Sequence, residues 1–115
     1  MSIPAQCHLW QAAELTTSDV NEAFTVVETF LDESHQTRDL LKCKLCGQLY
    51  FHEFLEWIDW EAGNDPQYQT FVPIGSKEEV DPLLQVDEFG LQSFSPRLLV
   101  DFPKAAKSPR VRWVR

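Results

Sequence analysis

Basic residues are missing where acids are dense: no Lys or Arg stands between Lys44 and Lys77, a stretch that holds Glu53, Glu56, Asp59, Glu61 and Asp65. Long apolar runs are missing as well. None approaches the ~20 residues that a membrane helix needs, and no apolar segment follows a basic start, so the expected location is cytoplasmic with no membrane association. Cysteine is scarce and odd in number, at three. Cys43 and Cys46 are too close in sequence to staple distant parts of a fold, which argues against a secreted disulfide scaffold. Internal repeats, low-complexity tracts and linkers are also lacking, so residues 1–115 are expected to form a single domain.

What is present suits a folded chain. Apolar residues make up 43% and charged residues 24%, near the globular average. A chain of this length buries roughly two thirds of its unfolded surface, so its core need not depend on a metal. Four Trp and eight Phe supply large rings for that core. The net charge of −8 is unevenly placed: 18 acids against 5 bases up to Asp101, then no acid and 5 bases from Phe102 onward. Lys104, Lys107, Arg110, Arg112 and Arg115 therefore read as a strand or arm lying on an acidic body. That body would repel phosphate, which argues against nucleic acid as a partner.

Thr16-Thr17-Ser18-Asp19 looks like a helix start, with Asp19 and Glu22 at capping-box spacing. Val20, Phe24, Val27, Phe30 and Leu31 then recur at helical spacing, which predicts a dominant amphipathic helix ending near Ser34-His35. Residues 48–60 are aromatic and apolar on both faces, and read as a long strand. The turn cluster Glu61–Pro66 leads to a second strand over Tyr68–Ile74, making a hairpin. Ser76 with Glu79 opens a short helix limited by Pro82. Glu88-Phe89-Gly90 reads as a turn, and 97–101 and 111–114 as later strands. The fold class is α+β: a mainly antiparallel sheet, one dominant helix and a zinc-knuckle-like turn.

That turn is Cys43-Lys44-Leu45-Cys46-Gly47, two thiolates spaced to grip one metal ion, with a glycine that lets the backbone fold back beneath them. It resembles the knuckles of zinc ribbons and rubredoxins, in which a cysteine pair runs into a β-strand. The resemblance covers five residues and the strand after them, and implies metal-binding geometry only, because the second cysteine pair of those families has no counterpart. A closed Zn2+ site needs two further ligands from Cys7, His8, His35 and His52. Cys7 would tie down the N-terminus. His35 is favoured as the fourth ligand, at the helix end eight residues before Cys43. His8 adjoins Cys7, and neighbours in an extended segment point to opposite sides; His52 is carried off along its strand. The expected set is thus Cys7, His35, Cys43 and Cys46, with a structural zinc.

Two chemical readings compete with a structural site. A thiol redox role for Cys43 and Cys46 lacks the helix that would follow and lower the thiol pKa. Metal-dependent hydrolysis is suggested by His52-Glu53-Phe54-Leu55-Glu56, but the second histidine of the zincin motif is replaced by Glu56. No catalytic residue is assigned, and the chain leans away from being an enzyme. The remaining reading is a protein-binding adaptor or inhibitor. An acidic hairpin bearing Tyr50, Trp57, Trp60, Tyr68 and Phe71 would dock a basic protein partner.

Overall fold

A computed structural model describes residues 3–56, 67–87, 90–102 and 109–115. Its centre is a six-stranded antiparallel sheet in which spatial order follows chain order: β1 Phe24–Glu33, β2 Gln36–Cys43, β3 Leu49–Glu56, β4 Gln67–Ile74, β5 Arg97–Phe102 and β6 Arg110–Val114. Every neighbour pair is antiparallel, so short connections suffice. The helices are brief: α1 His8–Gln11, α2 Thr17–Asn21 and α3 Val80–Leu84.

The sheet is covered on both faces. Leu41, Cys43, Tyr50, Phe71, Leu98 and Val100 point to one side, where Cys7, Leu9, Val20 and Ala23 from the α1–α2 segment close over them. Leu40, Phe51, Val72 and Ile74 point to the other, beneath Val80, Leu83 and Leu91. This double burial is why β3 lacks polar alternation: five of its eight residues are apolar or aromatic, and five of the eight are buried.

Among the described residues there is no dominant amphipathic helix. Only Thr17–Asn21 is helical, capped by Thr16, whose hydroxyl accepts from the Asp19 N–H while the Asp19 carboxylate accepts from the Thr16 N–H. Residues 24–33 form an edge strand instead. Thr25, Val26, Val27 and Thr29 are β-branched and favour the extended chain. The pairing of β1 with β2 is interrupted twice. Val27 and Phe30 have no partner in β2, so the residues opposite Lys42, Leu40 and Arg38 are Thr25, Glu28 and Leu31. The apolar residues that read as one helical stripe fall on opposite faces of the sheet, Phe24 against Tyr50 and Phe71 and Phe30 against Phe51.

Other expectations fall differently. The stretch up to Asp39, expected to be a polar connection leading into Leu40-Leu41-Lys42 and the cysteine turn, is instead part of an interior strand, β2 Gln36–Cys43. The hairpin of β3 and β4 is present over Leu49–Glu56 and Gln67–Ile74. The expected turn at 61–66, residues 57–60 and Glu88-Phe89 lie outside the described residues. The helix after Ser76 begins as a 3-10 turn, Lys77–Glu79, and continues as α3, with Pro82 in its first turn where a missing N–H does no harm. No described helix is long and apolar enough to cross a membrane.

Charge separates across the sheet. The β1 edge carries Glu28, Asp32 and Glu33 and no base, whereas β6, the opposite edge, carries Arg110 and Arg112 and no acid. The C-terminal bases are partly answered by the body: Arg110 Nη2 lies 2.9 Å from Asp101 Oδ2, and the Arg115 guanidinium sits 4.0 Å above the Trp10 ring.

Candidate metal centre

Cys43 ends β2, and the chain reverses immediately to begin β3. The Cys43 N–H donates to Gln48 O at 2.9 Å, and the Gly47 N–H donates to Cys43 O at 2.9 Å, closing the turn. Gly47 has φ +79°, the left-handed region where a side chain is strained. Space is not the constraint: an added Cβ would meet only Lys42 Cε, at 3.6 Å.

Cys7 comes from the other side, on the segment that covers this face. Its backbone is extended, φ −80° and ψ 131°, and its carbonyl accepts from Trp10 and Gln11 as α1 starts. His8 is the first residue of that helix. The chain therefore bends between the two neighbours, and both side chains reach the same place. This overturns the premise that an extended segment would send them to opposite sides. Ligand atoms of Cys7, His8 and Cys43 all lie within 4.8 Å of one another, with His8 Nδ1 3.7 Å from Cys43 Sγ. This Cys/His/Cys group could hold a metal ion.

The surrounding groups tune the thiols in opposite directions. Burial pushes the Cys7 thiol from 9.0 up to about 11, although the Tyr50 hydroxyl, donating to its sulfur at 3.1 Å, opposes the rise. Burial pushes the Tyr50 hydroxyl itself far above its ordinary range, so it remains a donor. At Cys43 burial also disfavours the thiolate, but the backbone amides of Cys46 and Leu45 and the side chains of Cys46 and Cys7 prevail and hold the pKa below its usual value. Cys46 itself is exposed, and its side chain acts on both Cys7 and Cys43. A hollow of about 300 Å³, lined in part by Cys7, Cys46 and Gly47, opens this side to solvent.

His35 is elsewhere. It occupies the β1–β2 turn, at the far end of β2 from Cys43, on the order of 25 Å away at 3.3 Å per strand residue. Its Nδ1 lies 3.1 Å from Glu56 Oε1. The helix that was to deliver it to the cysteines is a strand running the wrong way. His8 takes the place expected of His35. The signal in the sequence was Cys7-His8-Leu9-Trp10 after Pro4, the start of a helical turn rather than an extended segment.

His52 lies on the same face as Tyr50, but both of its ring nitrogens are engaged: Nδ1 with Asp39 Oδ2 at 3.3 Å and Nε2 with Gln69 Oε1 at 2.9 Å. Glu53 points to the opposite face, where its carboxylate accepts from Arg38 Nε at 2.6 Å. Glu56 accepts from Gln67 Nε2. Strand alternation thus sets Glu53 on the opposite face from His52 and Glu56, which are four residues apart and each engaged with other partners, and Asp59 lies outside the described residues. Of the aromatic set, Tyr50 and Phe71 are core residues, Tyr68 is half-buried, and Trp57 and Trp60 lie outside the described residues.

Sequence reasoning did not find the Arg38–Glu53 pair. Arg38 also donates from Nη1 to Leu84 O at 3.2 Å and from Nη2 to Val86 O at 2.6 Å, fastening the end of α3 to the sheet. Both side chains are under 10% exposed, at 7% and 2%. No protein-family model, curated protein or solved structure matches this chain.

Proposed function

We propose that this chain is a zinc-fastened protein-interaction module, an adaptor or inhibitor that docks a basic partner. One observation carries the metal: Cys7, His8 and Cys43 present three borderline or soft donors within 4.8 Å of one another. Zn–S bonds of about 2.3 Å and Zn–N bonds of about 2.1 Å in a tetrahedron put neighbouring donors about 3.6 Å apart. His8 Nδ1 and Cys43 Sγ are 3.7 Å apart. Cys46, three residues after Cys43 in the Cys-x-x-Cys-Gly turn, is exposed and outside that 4.8 Å group, and on this reading its side chain turns inward to become the fourth ligand. A Cys3His set suits zinc over hard cations. Four protein ligands leave no open position for substrate, so the ion joins the N-terminal segment to the β2–β3 turn.

The partner's charge follows from the surface. Glu14, Asp19, Glu22, Glu28, Asp32 and Glu33 are all exposed along α2 and the β1 edge. Such a face speeds encounter with a cationic protein and repels anionic ones.

Elemental mass spectrometry of tag-free protein tests the metal, with about one zinc per chain expected, lost in Cys43→Ser and His8→Ala and kept in His35→Ala. Absence of zinc from the wild-type protein would sink the metal half of the reading. Affinity capture tests the docking half: a basic protein must be retained by wild type and released when the exposed acids are reversed to lysine.

A further inference from the structure

We infer that the partner docks in a groove beside the metal centre, and that the groove takes an extended basic segment carrying an apolar side chain between arginines or lysines. This rests on the proposed interaction role and gives it a place. The groove is about 380 Å³ and is bounded by the α1–α2 connection, α2 and the tip of the Cys43–Gly47 turn. Its lining includes an apolar set, Ala12, Leu15, Ala23 and Leu45, which serves as its apolar floor in this reading. Leu45 is 77% exposed, a large apolar side chain held in water by the turn.

The rim supplies the charge. Glu14, Asp19 and Glu22 line it against a single Lys44. Asp19 is committed to the cap at Thr16, but no described residue bonds the Glu14 or Glu22 carboxylate. A purely cationic ligand could rest on any acidic stretch, including Glu28, Asp32 and Glu33 of β1. The apolar floor is what selects a segment with a buried side chain between its charges, the pattern of a hot spot ringed by rim contacts.

The groove and the metal centre share parts. His8 lines the groove, and the Lys44 N–H donates to Ala23 O at 2.8 Å, linking the cysteine turn to the end of α2. Metal that holds His8 and the turn in place therefore shapes the groove, so docking depends on metal.

The test is fluorescence anisotropy of zinc-loaded protein with two labelled peptides, Arg-Arg-Leu-Arg-Lys and Arg-Arg-Ser-Arg-Lys. The leucine peptide is expected to saturate and to bind at least about tenfold tighter than the serine peptide, as burial of one aliphatic side chain gives. Glu14→Lys/Glu22→Lys and Leu45→Ser should each weaken it about tenfold or more, while Asp81→Lys/Asp87→Lys, the same charge change at exposed acids on the opposite face of the sheet, stays within about twofold. Zinc content is measured in every variant; Leu15→Ser replaces Leu45→Ser if the latter loses its metal. Equal weakening by both charge-reversal pairs, or no preference for the leucine peptide, overturns the groove and leaves the basic-partner reading standing. Failure of wild type to bind either peptide overturns both.

Discussion

His8 Nδ1 lies 3.7 Å from Cys43 Sγ, across 35 residues of chain and between two different layers of the fold. The contact joins the segment that covers one face of the sheet to the turn between β2 and β3. If zinc bridges it, His8→Ala should weaken zinc binding by at least about a hundredfold, since a tetrahedral site loses one of its four ligands. His35→Ala should leave affinity unchanged, because its imidazole sits with Glu56 at the other end of β2. Competition against a chromophoric chelator measures both.

Tyr50→Phe tests the support behind Cys7. The ring stays packed against Phe24 and Trp113, but the sulfur loses its donor. The expected loss is about 1 kcal/mol in urea unfolding, the worth of one buried hydrogen bond. Tyr50→Ala, which also opens a cavity, should lose about 3–5 kcal/mol.

The Arg38–Glu53 pair should behave as a buried ion pair does. Removing one partner, as in Glu53→Leu, strands the guanidinium and should destabilise by about 3–5 kcal/mol. The double variant Arg38→Met/Glu53→Leu should recover part of that loss. Recovery will be incomplete, because Arg38 also holds the carbonyls of Leu84 and Val86. Chemical denaturation of the three proteins gives the coupling.

Asp39 carries a pH signature. Its carboxylate is bonded first to His52 and also to Thr29, which holds its pKa below the usual 3.8 despite burial. A depressed folded pKa means stability that is present above the unfolded value and lost as pH falls through the folded one. Wild type should therefore lose more stability between about pH 5 and pH 2 than Asp39→Asn does, compared by urea unfolding at each pH. A parallel decline in both proteins would show that the His52 contact carries no such coupling.

Gly47→Ala isolates backbone strain. With φ +79° and no crowding closer than 3.6 Å, the substitution should destabilise by about 1–2 kcal/mol. Gly90→Ala should act differently. There the added Cβ would run into Val86 Cγ1, so any loss comes from displacing a side chain.

Legibility in the sequence followed locality. The β3–β4 hairpin, β5, β6 and the cysteine turn were readable because strand composition and turn residues act over a few positions. Strand β1 was misread because Phe24 and Phe30, which read as one helical stripe, pack on opposite faces of the sheet, and the face a strand residue takes is set by pairing with its partner strand. Strand β2 was missed for a related reason: Arg38 and Asp39 look like loop residues until Glu53 and His52 stand opposite them. The same holds for the site. Cys43 and Gly47 announce a turn on their own, whereas the choice between His8 and His35 depended on whether residues 24–33 were helix or strand.

The sequence by itself determined the composition of a folded chain, the acidic body with its basic end, the antiparallel preference and the cysteine pair at its turn, because each depends on residue type and short spacing. Only the tertiary structure decided which face each strand residue occupies, that charge separates to opposite sheet edges, and that Cys7 and His8 descend together onto Cys43. Those follow from pairing register and from where a four-residue helix begins, and both are set by contacts between residues far apart in the chain.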